Sequence, residues 1–386
     1  MKNTFPQQLS AVTEPIETTL TLPPACYADS TIADLEKNSV FLQSWIGLGR
    51  SDQWKASGDY SVIELLGASI ILIRDRSNRL HAFANSCSHR SSLILEGSGN
   101  VRSISCPFHR WTYSLEGELQ GAPEMPGEDR FKKSQHGLTE FRVAERDGFT
   151  FISLNDDIDD IDTWLGDFSS LHAPWALKEL ITKRRLEIEV DCNWKCFLEV
   201  FNEYYHLPYV HPTTVDGVYN RPDMPECVKG QFASQFSTTE GTGGLLEESQ
   251  QYALPPMKSL KGRNRNGTRY TWLFPNMTFA ASTEAIWVYE ANPINSEKCK
   301  VVMSVCFPPE TIEHGEFEKR AKVYYDRMDA ALAEDVPALV RQQKGLSSPY
   351  ARQGQFCSEL EPNVANFAIW YARSLETVLK TEGHIL

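Results

Sequence analysis

Residues 87–109 read CSHRSSLILEGSGNVRSISCPFH, and the spacing within them decides how the first half of the chain folds. Cys87-Ser88-His89 is followed by sixteen residues and then by Cys106-Pro107-Phe108-His109. On two neighbouring hairpin loops these pairs would present two thiolates and two imidazoles to one point. Four ligands of these types suit either a tetrahedral zinc site or a 2Fe-2S cluster. The common zinc pattern runs Cys with Cys and His with His, whereas here each loop supplies one of each. That interleaving, beside Pro107, Phe108 and Trp111, favours a cluster with both cysteines on one iron and both histidines on the other. Histidine ligation lifts such a cluster to roughly -150 to +300 mV, which suits it to pass single electrons onward.

The sequence around these loops is strand-like. Segments 61–65 and 68–73 flank Gly67, and a polar turn at 75–79 leads into 80–84. Residues 115–119 read as a hairpin tip, and 143–145 with 149–154 flank Asp147-Gly148. The expectation is a small all-β domain over residues 40–158. An extended arm and a short helix at 31–38, within residues 1–39, precede it. The acidic run 155–167, NDDIDDIDTWLGD, reads as a solvated connector to a second domain over 159–386.

That second domain holds the other chemistry-bearing stretch, residues 193–212, NWKCFLEVFNEYYHLPYVHP. His206 and His211 with one carboxylate, Glu199 or Glu203, can hold iron(II) and leave coordination positions open. Glu203 and His206 are three apart and share a face if the segment is helical. Pro208 is then expected to end the helix at Leu207 and free His211 to turn back. On these residues alone, Glu203 is the carboxylate that completes the set. Strands at 186–190, 270–274, 277–281, 285–289 and 300–307 predict an antiparallel sheet with helices on one face, so the chain is α+β. Residues 217–268 are rich in Gly, Pro, Ser and Thr and read as a lid over the pocket. The last major element is a helix at 315–344 whose apolar stripe runs Phe317, Ala321, Tyr324, Met328, Leu332, Val336 and Leu339. Asp335 lies beside that stripe, two residues before Pro337, as a cap or as a metal ligand.

Composition sets bounds. A chain of 386 residues suggests two domains, and 41% hydrophobic with 23% charged residues is ordinary for a globular protein. A net charge of -13 argues against nucleic acid. The N-terminus lacks the apolar core of a signal peptide and no apolar run is long enough for a bilayer, so a cytoplasmic protein is expected. Of nine cysteines, seven are scattered and are expected to be buried small hydrophobes rather than disulfides.

Taken together, the motifs carry a resemblance. Arg110-Trp111-Thr112-Tyr113 follows the second Cys-x-x-His, and Asn193-Trp194-Lys195 precedes an acid-x-x-His-x-x-x-x-His. Over roughly residues 40–375 the chain resembles the terminal (alpha) subunits of Rieske non-haem iron oxygenases. The resemblance implies a Rieske 2Fe-2S domain and a larger helix-grip, START-like catalytic domain. It implies that Cys87, His89, Cys106 and His109 hold the 2Fe-2S cluster and that His206 and His211 bind a mononuclear Fe(II). It makes Asp335 the third iron ligand, because Gln343-Lys344-Gly345-Leu346 follows at the family's distance; Glu334 is the rival carboxylate. Glu203 then becomes a bridge that hydrogen-bonds an iron ligand and a cluster histidine of a neighbouring subunit. It further implies O2 as co-substrate and a homotrimer, so that electrons cross between subunits. No dinucleotide fingerprint or plant-type ferredoxin cysteines occur, so a separate flavin/iron-sulfur reductase is expected to bring electrons from NAD(P)H.

Three positions depart from the family pattern: Ser91 and Arg110, where many members have Gly, and Glu203, where many have Asp. The longer acid resembles the subgroup that oxidises choline, carnitine and betaine-like quaternary ammonium compounds. Tyr204, Tyr205, Tyr209, Tyr219, Trp272, Phe279, Trp287 and Tyr289 offer rings for a cation–π cage. The alternative is an aromatic acid held by Arg221, Arg263, Arg265 or Arg269. A reading of another class is a Rieske electron carrier without oxygenase activity, which would have no use for Glu203, His206, His211 and Asp335.

Overall fold

The computed structural model describes residues 4–127 and 129–381, and the chain forms two compact units. The smaller comprises residues 50–145 and 149–158, and the larger 1–49, 146–148 and 159–386. The arm is therefore part of the larger unit, not a separate element.

The smaller unit contains no α-helix among its described residues. Antiparallel strands Asp59–Leu65, Ala68–Arg74 and Leu80–Ala84 pair in chain order, Ser98–Asn100 flanks the first, and Glu140–Arg146 flanks the last. A second sheet of Ile104–Ser105, Thr112–Tyr113 and Leu119–Gly121 carries one of the two Cys/His loops. Ile71, Ile73, Phe83, Ile104, Trp111 and Tyr113 fill the core between them, and the thiols of Cys87 and Cys106 belong to the same cluster.

The larger unit is built on a six-stranded antiparallel sheet. Its order is Ile181–Val190, Lys298–Phe307, Ile286–Asn295, Met277–Ala281, Gly267–Leu273 and Phe232–Thr238. The last strand falls inside the expected lid. FASQFST shows no apolar alternation because its polar side chains are buried and bonded within the fold: Ser234 bonds Thr271, Gln235 Nε2 donates to Asp223 O and Ser237 donates to Asn220 O, although Gln235 Oε1 has no partner. Only the flanking segments of 217–268 are loops and short 3-10 turns.

Helix Trp194–Phe201 packs on the central strands and helix Pro362–Thr381 on Phe232–Thr238. That C-terminal helix was not expected from the sequence. Val364, Ala365, Phe367, Ala368, Ile369 and Tyr371 are all buried, and a clear polar face emerges only in its second half, at Arg373 and Thr377. The long helix Phe317–Leu346 runs through Pro337 unbroken, so Asp335 does not cap a restarted segment.

The Asn193-Trp194-Lys195 motif has a structural role. Asn193 caps its helix through Lys195 N–H, and its amide donates to Ser296 O at 2.7 Å. Lys195 is fully buried and pairs at 2.5 Å with Glu36 of the arm helix Ser30–Ser39. Glu36 also accepts from Trp194 Nε1 and Tyr371 OH, so one buried carboxylate ties together three helices. Five of the seven scattered cysteines are buried as expected; Cys227 is exposed and Cys357 half-buried.

Candidate active site

In the smaller unit the two Cys/His loops are the same turn built twice. Ser91 N–H donates to Cys87 O and Cys87 N–H to Ser92 O; Arg110 N–H donates to Cys106 O and Cys106 N–H to Trp111 O. Each turn closes through a left-handed residue, Ser91 at φ 56 and Arg110 at φ 58. These are the two positions where a glycine was expected, and the reason is now visible: only glycine adopts that backbone without steric cost. The thiols are buried and the imidazoles lie outward, with His89 half-buried and His109 exposed. The two rings are 4.7 Å apart, and His89 stacks on Trp111. Cys87 Sγ lies 3.2 Å from Tyr113 OH, which also bonds Ser88, and burial together with that thiol pushes the phenol up to about 12. His89 Nδ1 is buried with no hydrogen-bond partner. An orphaned imidazole nitrogen and two buried thiols on paired loops fit a metal cluster.

In the larger unit, helix Trp194–Phe201 ends well before His206. Glu203 to His206 form a turn in which the Glu203 carboxylate accepts from the backbone N–H groups of Tyr205 and His206. Pro208 then lies in the first turn of the short helix Leu207–Val210, where its missing N–H costs nothing. The proline therefore starts a helix rather than ending one. His211 caps that helix and turns inward, 2% exposed.

His206, His211 and Asp335 offer three ligand atoms that all lie within 4.8 Å of one another. Asp335 Oδ1 is 2.9 Å from His211 Nε2 and 3.6 Å from His206 Nε2. The opposite ring nitrogens are taken: His206 Nδ1 by Glu203 at 2.6 Å and His211 Nδ1 by Glu334 at 2.6 Å. A carboxylate on each Nδ1 fixes that nitrogen as the donor and turns the Nε2 lone pair toward Asp335. Thr214 Oγ1 steadies Glu334 at 2.6 Å. Asp335 Oδ1 itself is buried with no hydrogen bond. Three carboxylates around two imidazoles form a negative, partly buried set that a divalent cation would neutralise. Glu334 and Asp335 are adjacent in sequence yet diverge by about 100° around the helix, so one holds a histidine from behind and the other faces both.

A small cavity opens on this triad, about 50 Å³ in volume and lined by Phe201, Tyr204, Tyr270, Tyr289, Arg327 and Ala331. A substrate of several heavy atoms enters it only with side-chain movement. On the far side of Glu203 and His206 lies a second cavity of about 350 Å³, which Glu199, Arg352 and Glu361 help to line. Burial pushes the Glu199 carboxyl up to about 7, although Tyr27 OH donates to it at 2.6 Å.

Residues 44–141 match the model of the Rieske [2Fe-2S] domain, and residues 177–377 match that of the ring-hydroxylating alpha subunit catalytic domain. The chain belongs to the Rieske-type ring-hydroxylating oxygenases. Among its relatives is the chloroplastic choline monooxygenase of Beta vulgaris, 27% identical over 377 residues, covering 94% of this chain and 78% of that one. The glycine betaine monooxygenase oxygenase subunit of Chromohalobacter salexigens is 26% identical over 394 residues, with 94% and 87% covered. The fold matches the quaternary ammonium Rieske monooxygenase CntA in complex with L-carnitine at a TM-score of 0.78 and 23% identity, over 97% of this chain and 99% of that one. Membership makes this chain an oxidoreductase of the 2Fe-2S and mononuclear-iron type. No helix among the described residues is long and apolar enough to cross a membrane.

The substrate-side residues sort differently from expectation. Of the eight rings, Tyr204 and Tyr289 line the cavity and Tyr219 bonds its neighbour Tyr270; Tyr205 and Tyr209 are exposed, and Trp272 and Phe279 are core. Arg221, Arg263 and Arg269 are paired with Glu359, Asp223 and Glu226, and Arg265 is exposed. The arginine that does reach the cavity is Arg327, which the sequence reading passed over. Its signal was there: Arg327, Ala331 and Asp335 fall at i, i+4 and i+8, one face of one helix.

Proposed function

We propose that this oxygenase hydroxylates, or oxidatively demethylates or cleaves, a small quaternary ammonium compound, as a homotrimer served by a separate reductase that draws on NAD(P)H. Cys87, His89, Cys106 and His109 would hold the 2Fe-2S cluster, and His206, His211 and Asp335 the mononuclear iron. When bound, the two centres supply single-electron delivery and O2 activation. The chain's own residues do the positioning. Glu203 and Glu334 hold the two imidazoles by their Nδ1 atoms, and the rings of Phe201, Tyr204, Tyr270 and Tyr289 exclude water from the side that faces substrate. Glu203 would also bond a cluster histidine of a neighbouring subunit; its place in the lining of the second cavity as well as the first supports this. Seven unpaired cysteines besides Cys87 and Cys106, one of them exposed, support a reducing, cytoplasmic setting.

The observation that carries the substrate class is the near full-length alignment to choline and glycine betaine monooxygenases, together with glutamate at position 203. Reductase-coupled O2 consumption with product identification, across choline, carnitine, betaines and aromatic acids, is the test. Stoichiometric product from a quaternary ammonium compound is expected; product from an aromatic acid alone would overturn the reading. The aromatic-acid alternative draws on one observation, the arginine in the cavity.

A further inference from the structure

Arg327 is 5% exposed and lines the cavity beside the proposed metal-ligand triad. Buried arginines are ordinarily matched by a carboxylate, as the equally buried Arg269 is by Glu226. Arg327 has no acidic partner among the described residues. Its contacts include the face of Trp287 at 5.2 Å, Met328 Sδ at 3.5 Å, Tyr219 OH at 3.5 Å and the neutral hydroxyl of Tyr270. The Tyr219 hydroxyl is already committed, donating to Gly243 O at 2.9 Å and accepting from Tyr270. Arg327 Nε has no hydrogen bond at all, and neither does the buried hydroxyl of Tyr204, which lines the same cavity. The cavity therefore contains a permanent positive charge and two unused donors. The one orphaned acceptor on its wall, Asp335 Oδ1, faces the histidines.

We propose that Arg327, assisted by Tyr204, is the receptor for a carboxylate on the substrate, so that the substrate is a zwitterionic trimethylammonio carboxylate and not a simple cation such as choline. The proposal rests on the quaternary ammonium reading and narrows it. A lone cation entering this cavity would meet the guanidinium in a low-dielectric site and be repelled. A zwitterion cancels that charge and satisfies both donors. Eight residues separate Arg327 from Asp335 on one continuous helix, roughly 12 Å along its axis. The anionic end is thus held away from the triad and the methylated end is directed toward it. Trp287 leaves the expected cage, because its face is already covered by Arg327.

The test is calorimetric titration of the holoenzyme without its reductase, so that nothing turns over. The ligands are 4-(trimethylammonio)butanoate, glycine betaine, choline and 3,3-dimethylbutanoate, the carbon isostere of glycine betaine. At least one trimethylammonio carboxylate is expected to bind about ten-fold or more tighter than choline. Arg327→Gln should erase that advantage, weakening carboxylate binding by about 10–100-fold and choline not at all. Arg327→Lys should restore part of it. Arg327→Met should melt at or above the wild-type temperature without ligand, because it removes an unpaired buried charge of similar volume. Carboxylate binding that ignores Arg327→Gln would overturn the proposal, and so would choline binding as tightly as every carboxylate. A fall of several degrees in Arg327→Met would make the residue structural and overturn it too. The two readings fail separately. If 3,3-dimethylbutanoate equals glycine betaine with the same dependence on Arg327, the receptor stands and the quaternary ammonium reading falls. If choline binds tightest here and is also the compound oxidised in the reductase-coupled assay, the reverse holds.

Discussion

Ser91 and Arg110 show how single residues bear the cost of a cofactor loop. Both adopt the left-handed backbone, which for a residue with a Cβ costs about 1–2 kcal/mol, against the 0.5–1 kcal/mol of extra unfolded freedom that glycine gives up. We predict that Ser91→Gly, at an exposed position, stabilises the smaller unit by roughly 0.5–1 kcal/mol, seen as a higher melting temperature at unchanged cluster content. A lower melting temperature would mean that the serine side chain is needed. Glu334 supports a proposed ligand in another way, from behind His211. Glu334→Ala should weaken iron binding by about 10–100-fold in a competition with a chelator while leaving the visible spectrum of the 2Fe-2S centre intact. Complete loss of iron would promote Glu334 to a ligand, and no change would remove it from the site. These residues were legible to different degrees. The Cys-x-His and Cys-x-x-His pairs announce themselves by local spacing, whereas the choice among Glu203, Glu334 and Asp335 depends on which way each carboxylate points.

At the scale of elements, the segment from Glu203 to His211 corrected the sequence reading most. A helix was expected to run to Leu207, yet the glutamate side chain competes for the backbone donors of Tyr205 and His206 and ends regular structure early. The helix Phe168–His172 supplies a pH-dependent lock on the sheet. His172 Nδ1 donates to Phe168 O and its Nε2 accepts from Thr271, each at 2.8 Å, and burial holds its pKa down to about 3. Because the folded value lies below the usual 6.5, the unfolded chain takes up a proton that the folded chain refuses. The stability His172 contributes is therefore complete above about pH 6.5 and is lost as pH falls toward 3. His172→Gln should be less stable than wild type at neutral pH. That deficit should shrink by about 2 kcal/mol between pH 7.5 and pH 5, measured by denaturant unfolding at each pH. A deficit independent of pH would refute the assignment.

At the scale of the whole molecule, the proposed path from one subunit's cluster to a neighbour's iron makes a prediction that no single chain can satisfy. His109→Ala and His206→Ala should each be inactive alone. Co-expressed with different tags and purified as mixed trimers, they should regain roughly a third of the wild-type activity, because one interface in three then joins an intact cluster to an intact iron site. Mixed trimers as inactive as their parents would place the electron path within one chain.

By itself the sequence determined the α+β class and the family, and it marked the two motifs proposed to bear the ligands. Metal ligation demands particular residue types at short, fixed spacings, and hydrophobic period reports strands and exposed helices directly. Three things waited for the tertiary structure. The buried strand Phe232–Thr238 shows no solvent-facing period, and helix Pro362–Thr381 shows an exposed polar face only in its second half, so little local marks either. Asp335 and Glu334 meet His211 across more than a hundred residues of chain, and a rotation of about 100° on a helix separates their roles. Arg327 has no carboxylate partner among the described residues, and that can be read only when its neighbours are in place.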